Sequence, residues 1–141
     1  MPRFPISLSV RLDDLGKLIL RLTVAGLLLF HGIPKIEQGI GFVHQMVEAS
    51  GLPPFVAYGV YVGEIVAPVL VIAGFFTRPA ALIIAMDMAG AVYMARRDDV
   101  FSLGQGGMSW AIEVEAFFFF GALAVACLGA GRIALGKGRW D

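Results

Sequence analysis

The sequence has little charge. Charged side chains make up 16% of its 141 residues, whereas apolar side chains make up 58%. Lysine plus arginine equals aspartate plus glutamate, at 11 each, so the overall charge does not favour a nucleic-acid partner. This composition is far from that of a soluble domain. It predicts a single membrane domain over residues 1–141, with membrane lipid as its surroundings.

Cysteine and histidine are also scarce. Cys127 is the single cysteine, which excludes an internal disulfide and any CxxC redox pair. Two histidines, His31 and His44, are too few for haem or metal in the usual helix-bundle sites, so we expect neither cofactor. Electrons for any redox reaction would therefore have to come from a bound cofactor or from a partner subunit.

The apolar residues are gathered into four runs. About 20 apolar residues cross a bilayer, and proline ends a helix because it cannot continue the hydrogen-bond ladder. Pro34 is therefore expected to end the first span, and Thr77-Arg78-Pro79 is expected to form a tight reversal before the third. The predicted membrane spans cover residues 15–33, 55–76, 80–95 and 110–129.

Residues 36–48 have a different pattern. Ile36, Ile40, Val43 and Val47 recur at helical spacing, and Glu37, Gln38, His44, Gln45 and Glu48 take other positions. This pattern predicts a short amphipathic helix that lies in the membrane interface and does not cross it.

The distribution of basic residues predicts the orientation. The N-terminus, the Arg78 turn and the C-terminal tail carry seven lysines and arginines, whereas the opposite side carries three. The positive-inside rule then puts both termini in the cytoplasm and the amphipathic helix in the first outer loop. The expected fold is all-α: a multi-pass, antiparallel four-helix membrane bundle with a short interfacial helix.

Two carboxylates stand near the middle of predicted spans. Glu64 lies in the second span and Asp87 in the third, and the short connection between these spans should place both at similar depth. A charge at that depth costs about 2.5–3.5 kcal/mol unless it is protonated, paired or facing a wet cavity. Glu64 and Asp87 are therefore the candidate catalytic, proton-exchanging residues.

Four further polar residues are candidates for binding a cofactor headgroup. Arg21, about a turn inside the first span, either extends back to the lipid headgroups or turns inward to meet a buried carboxylate. His31 lies near the outer end of that span, at the level of Glu113 or Glu115. The two glutamates are on nearly opposite helix faces, so we expect only one of them to face the bundle.

These polar residues leave three functions open. They could hydrogen-bond one another and fix the helix register without any ligand. They could form a pocket for a small lipophilic molecule with a polar head and exchange protons with it. They could also line a route for ions or protons.

Several short motifs follow one another along the chain. They are Arg21-Leu22 with Gly26, His31-Gly32-Ile33-Pro34-Lys35, Ser50-Gly51-Leu52-Pro53, Glu64, Gly74 to Ala81, a glutamate after Trp110, and Gly129-Ala130-Gly131-Arg132. In order and spacing this set resembles the DoxX family of small four-helix bacterial and archaeal membrane proteins, from Leu18 onward. The chain departs from the family at Ile133-Ala134-Leu135-Gly136, where a small-Leu-Asp motif is usual.

The resemblance implies an inner-membrane protein linked to quinone-coupled oxidation, because family members are named for subunits associated with quinol oxidase and thiosulfate:quinone oxidoreductase. A quinone is then the candidate cofactor, and an oxidoreductase subunit the candidate partner. The chain would be a non-autonomous subunit or accessory of such an enzyme. The alternative is a non-catalytic membrane scaffold for redox or stress-response proteins, and a homodimer remains open.

Overall fold

The computed structural model describes residues 6–141, with side chains from residue 12 onward. In this part of the chain the fold is all-α, and the β pairing is limited to an isolated bridge between Leu103 and Trp110. Arg3, which counts towards the predicted orientation, lies outside the described residues. Five helical segments follow one another: α1 (Ile6–Gln38), α2 (Gly41–Ala49), α3 (Pro54–Ala73), α4 (Thr77–Asp99) and α5 (Glu113–Leu128).

Three of these helices are long and apolar enough to cross a membrane. Among the described residues they are α1 from Leu12, α3 and α4, with 27, 20 and 23 residues. Because α5 has 16 residues, it falls below the length usual for a spanning helix. The predicted all-helical membrane protein is thus confirmed at the level of helix type and composition.

The first helix is longer than predicted. Pro34 lies inside α1, which continues to Gln38 and ends where Gly39 takes a left-handed conformation at φ 81°. The prediction that Pro34 ends the helix is wrong, because one proline removes one hydrogen bond and membrane helices tolerate that loss. The consequence is that Lys35 belongs to the last turn of α1. The amphipathic helix is correspondingly shorter than residues 36–48 and forms α2.

The reversal between α3 and α4 also differs from the prediction. Gly74 and Phe76 take left-handed conformations, at φ 72° and 47°, and turn the chain. Thr77, Arg78 and Pro79 form the first turn of α4 and not the reversal. Proline is compatible with that position, because the amides of the first helical turn have no helical partner to lose.

Both α3 and α4 contain a π-helical turn, at Val62–Val66 and Val92–Arg96. Such turns are rare, insert one extra residue into the helix and are frequent at functional sites. The first of them contains Glu64. It changes the direction in which the side chains of α3 point along this stretch.

The helices pack around two apolar clusters. In the larger cluster α1, α3, α4 and α5 meet, and α4 and α5 form the most extensive pair. The smaller cluster holds α2 against the start of α3. Its buried members are Ile40, Val43, Val47, Ala57 and Val60, and Met94 from the end of α4 packs on them. One end of the bundle is therefore covered by α2.

Candidate functional site

Glu64 is buried and forms an ion pair with the partly exposed Lys35. Its side chain is 7% exposed, and both of its carboxylate oxygens accept hydrogen bonds of 2.6 Å from Lys35 Nζ. Tyr61 donates its hydroxyl to the main-chain oxygen of Lys35 at 3.1 Å. A buried carboxylate is tolerated when it is paired in this way. The pair connects the last turn of α1 to the π turn of α3.

Gly32 allows the two helices to come this close. A Cβ atom at position 32 would lie 2.6 Å from the main-chain oxygen of Glu64, so only glycine fits. Residues three apart on a helix share a face, which brings Lys35 next to the Glu64 side chain. Lys35 is a candidate site residue that was not predicted from the sequence. Lys35 follows Pro34 directly in the sequence. If the first helix had been predicted to continue through Pro34, Lys35 would have been assigned to the site.

Asp87 packs directly beside this pair. A side chain on Gly63 would overlap the Asp87 carboxyl group, so α3 and α4 approach each other closely here. Asp87 Oδ2 is buried and has no hydrogen-bond partner among the described residues. Buried polar atoms without partners are rare and costly in proteins. Glu64 and Asp87 are thus brought to one place, on neighbouring helices.

Lys35, Glu64 and Asp87 share a cavity of about 450 Å³. This volume is within the range of small-molecule sites. Apart from these three residues, the walls consist of aliphatic side chains, glycines and three methionines, which adapt easily to the shape of a ligand. The remaining lining residues are Val43, Met46, Val56, Gly59, Val60, Val62, Ile83, Met86, Gly90, Ala91 and Met94. The cavity suits a small amphipathic molecule.

Arg21 lies elsewhere. Its side chain is buried, at 1% exposure, and its guanidinium donates only to main-chain carbonyls in the described residues. These carbonyls are those of Val71, Ile72, Ala130 and Ile133. Both predictions for Arg21, contact with headgroups and pairing with a buried carboxylate, are wrong. The carbonyls at a helix C-terminus lack helical partners and carry partial negative charge, so they attract the arginine.

The other predicted residues are separate from this cavity. His31 and Glu113 line a groove of about 710 Å³ between α1 and α5, in which His31 packs edge-on against Phe118 at 5.4 Å. Glu115 lines a third cavity and lies 3.6 Å from an Arg96 guanidinium nitrogen. The two glutamates therefore face different sides, as predicted, and neither reaches Asp87's cavity.

Comparison with known proteins assigns the chain to a family. The family model of DoxX matches residues 16–97, more than half of the chain. The chain is also 33% identical over 79 residues to the Bacillus subtilis (strain 168) protein named "Putative oxidoreductase CatD". That alignment covers 56% of this chain and 58% of the relative, so the chain spans less than two thirds of the relative's length. No solved structure gives a significant match. The chain belongs to the DoxX family of membrane proteins.

Proposed function

We propose that the protein binds a quinone in the cavity formed by Lys35, Glu64 and Asp87, and acts as a quinone-linked subunit or accessory of a membrane oxidoreductase. The observation that carries this proposal is the buried, unpartnered Oδ2 of Asp87, a residue that lines an otherwise largely apolar cavity. A buried polar atom without a hydrogen-bond partner is rare in proteins, and a bound ligand would supply the partner.

The three charged groups match the needs of a quinone headgroup. Lys35 can donate a hydrogen bond to a headgroup oxygen, and Asp87 can exchange a proton with it. Glu64 holds the Lys35 ammonium in place through two hydrogen bonds. The aliphatic and methionine walls accommodate the ring and the start of its lipid tail. When bound, the quinone supplies the redox chemistry.

Electrons would reach the quinone from a partner subunit or a soluble enzyme. The cavity offers proton-exchanging groups and hydrogen-bond donors, which bind and orient a headgroup but do not carry electrons. The name of the Bacillus subtilis relative, which contains the word oxidoreductase, supports an assignment to redox metabolism. The partner is therefore best sought by co-purification from the native membrane.

We also propose the predicted arrangement in the membrane. In it α5 completes a four-span bundle, α2 lies in the outer interface and both termini are cytoplasmic. The support is the excess of basic residues on the side of the termini and the cover that α2 provides at one end of the bundle. Labelling of cysteines introduced at residues 48 and 137 tests it. A membrane-impermeant thiol reagent applied to intact cells should label position 48 and not position 137.

Quinone affinity in lipid nanodiscs tests the function. The double variant Lys35→Met/Glu64→Gln removes the donor without leaving a charged partner buried alone. We expect wild type to bind a short-chain quinone and the double variant to bind it about tenfold or more weakly. Glu48→Gln, on the exposed surface of α2, is the matched control and should bind as wild type does. Absence of quinone binding by folded wild-type protein would refute the proposal.

A second candidate function, a membrane scaffold, is favoured by one observation. The hydrogen bonds of Glu64 are satisfied by Lys35 without any ligand, so this pair also serves to join α1 to α3. In a pure scaffold, Glu64→Gln would lower thermal stability, and capture of partner proteins would fall only in proportion to the amount of folded protein. Wild type would then have no measurable quinone affinity.

A further inference from the structure

The polar end of the cavity offers one donor and one acceptor that the protein does not use. Lys35 carries three ammonium N–H groups, of which two bond to the Glu64 oxygens. The third has no acceptor among the described residues. Asp87 supplies the acceptor, since its Oδ2 has no donor in the described part of the chain.

The donor and the acceptor belong to residues that line the same cavity. Lys35, Glu64 and Asp87 line one cavity. The terminal torsion of an aspartate side chain is broad, so a small rotation can turn either carboxylate oxygen towards the cavity. The Asp87 carboxyl group already packs against Gly63, so it cannot move further towards α3.

We infer that Lys35 and Asp87 together select a phenolic hydroxyl on the ligand, and hence the reduced quinol over the oxidised quinone; this inference rests on the proposed function. A hydroxyl accepts one hydrogen bond and donates another, so it satisfies Lys35 and Asp87 at once. A quinone carbonyl accepts from Lys35 but has no hydrogen to give to the ionised form of the Asp87 carboxylate. Quinone binding therefore leaves the buried carboxylate oxygen without a partner, and quinol binding does not.

Such a site discriminates strongly. A pocket that is built to hydrogen-bond a hydroxyl rejects an analogue that lacks it, because the buried group of the protein is left unpaired. We expect quinol to bind about tenfold or more tightly than quinone. Because quinol donates a hydrogen bond to Asp87 and quinone does not, Asp87 is the specificity-determining residue of the site. Lys35 binds both redox forms.

The test uses a ligand pair without redox chemistry. A 2-alkyl-1-naphthol and its methyl ether differ only in the hydroxyl hydrogen and a methyl group, and their affinities for protein in nanodiscs can be compared directly. The same comparison is made anaerobically for a short-chain quinol and quinone. The variants are Asp87→Leu, which removes the acceptor at similar size, Asp87→Asn, which keeps a carbonyl acceptor, and Glu48→Gln as control.

Wild type and Glu48→Gln should prefer the naphthol and the quinol about tenfold or more. Asp87→Leu should bind both members of each pair about equally, and Asp87→Asn should keep part of the preference. Equal affinities in wild type, or an undiminished preference in Asp87→Leu, would overturn the inference while leaving the proposed function intact. If wild type binds no member of either pair, the proposed function fails as well.

Discussion

Two regions of the molecule bury charged groups in opposite ways. Around Arg21 the guanidinium is 1% exposed and four main-chain carbonyls accept its hydrogen bonds. Around Asp87 a buried carboxylate oxygen lacks any partner in the described residues, and a cavity of about 450 Å³ lies beside it. The Arg21 charge, which makes four hydrogen bonds to main-chain carbonyls, stabilises the fold. The Asp87 carboxyl group, with an unpartnered oxygen, is the group for which we propose a ligand.

The Arg21 region is closed by the C-terminal tail. Leu135 and Gly136 donate their amides to the main-chain oxygens of Ala73 and Gly74, at 3.0 and 2.9 Å. Arg78 donates to the carbonyls of Ala126 and Cys127 at the end of α5, at 2.9 Å each. Arginines and main chain together thus bind the helix ends of α3 and α5 into one unit.

The largest effect should come from the Arg21 region. Arg21→Met removes four hydrogen bonds made by a buried guanidinium, so we expect the free energy of unfolding to fall by about 3 kcal/mol or more. Thermal or denaturant unfolding in detergent micelles measures it. Arg132→Gln is the control, because the Arg132 side chain is 78% exposed and lies 3.9 Å from Asp14. It should change stability by about 0.5 kcal/mol or less. Equal effects of the two variants would show that the buried hydrogen bonds of Arg21 stabilise the fold no more than the exposed Arg132 side chain does.

The Lys35–Glu64 pair should show strong coupling. Lys35→Met and Glu64→Gln each remove one side of a partly buried, charge-assisted hydrogen-bonded pair, at a cost of about 1.5–3 kcal/mol. The double variant should lose less than the sum of the two, with a coupling free energy of about 1–3 kcal/mol. A double-mutant cycle on thermal unfolding measures this coupling. Strict additivity would show that the pair does not hold α1 to α3.

Gly32 should be intolerant of a side chain where another glycine of α1 is not. Gly32→Ala forces a methyl group against the Glu64 carbonyl, so we expect a loss of about 1–3 kcal/mol in unfolding free energy. At Gly26 an added methyl group would meet nothing within 4 Å, so Gly26→Ala should be neutral or stabilise by up to about 1 kcal/mol. Similar melting temperatures for both variants would show that α1 and α3 do not approach each other closely at Gly32.

Asp87 should give the smallest effect on stability, and one of opposite sign. Asp87→Asn removes an uncompensated buried carboxylate, so ligand-free protein should gain about 0.5–2 kcal/mol of unfolding free energy. Unfolding of wild type and variant in quinone-free micelles measures the change. A loss comparable with that of Arg21→Met would mean that Asp87 is a structural residue, like those of the Arg21 region.

The sequence predicted the helical class, the positions of α3 and α5 within a few residues and the meeting of Glu64 with Asp87. These follow from apolar run lengths and a short connection, which are local properties. Lys35 was missed because a proline in a single sequence reads as a helix end, although a packed membrane helix can continue through it. The partners of Arg21 could not be predicted, since they are main-chain carbonyls and main chain carries no sequence signal.

The two π turns could not be predicted from the sequence either. No residue pattern at Val62–Val66 or Val92–Arg96 distinguishes a π turn from an α-helical one, because tertiary packing decides which hydrogen bonds form. The separation of Glu113 from Glu115 was predictable from helical spacing. Their distance from Asp87 was not, since it depends on how α5 packs against α4.

Photoaffinity labelling measures the contrast between the two regions most directly. Wild-type protein in nanodiscs is labelled with an azidoquinone, digested and mapped by mass spectrometry, with and without excess unlabelled quinol. We expect saturable labelling of the peptides that contain Lys35 and residues 83–94, and loss of this labelling when unlabelled quinol competes. Labelling that does not saturate, or that falls mainly on the peptides around Arg21 and the C-terminal tail, would contradict this expectation.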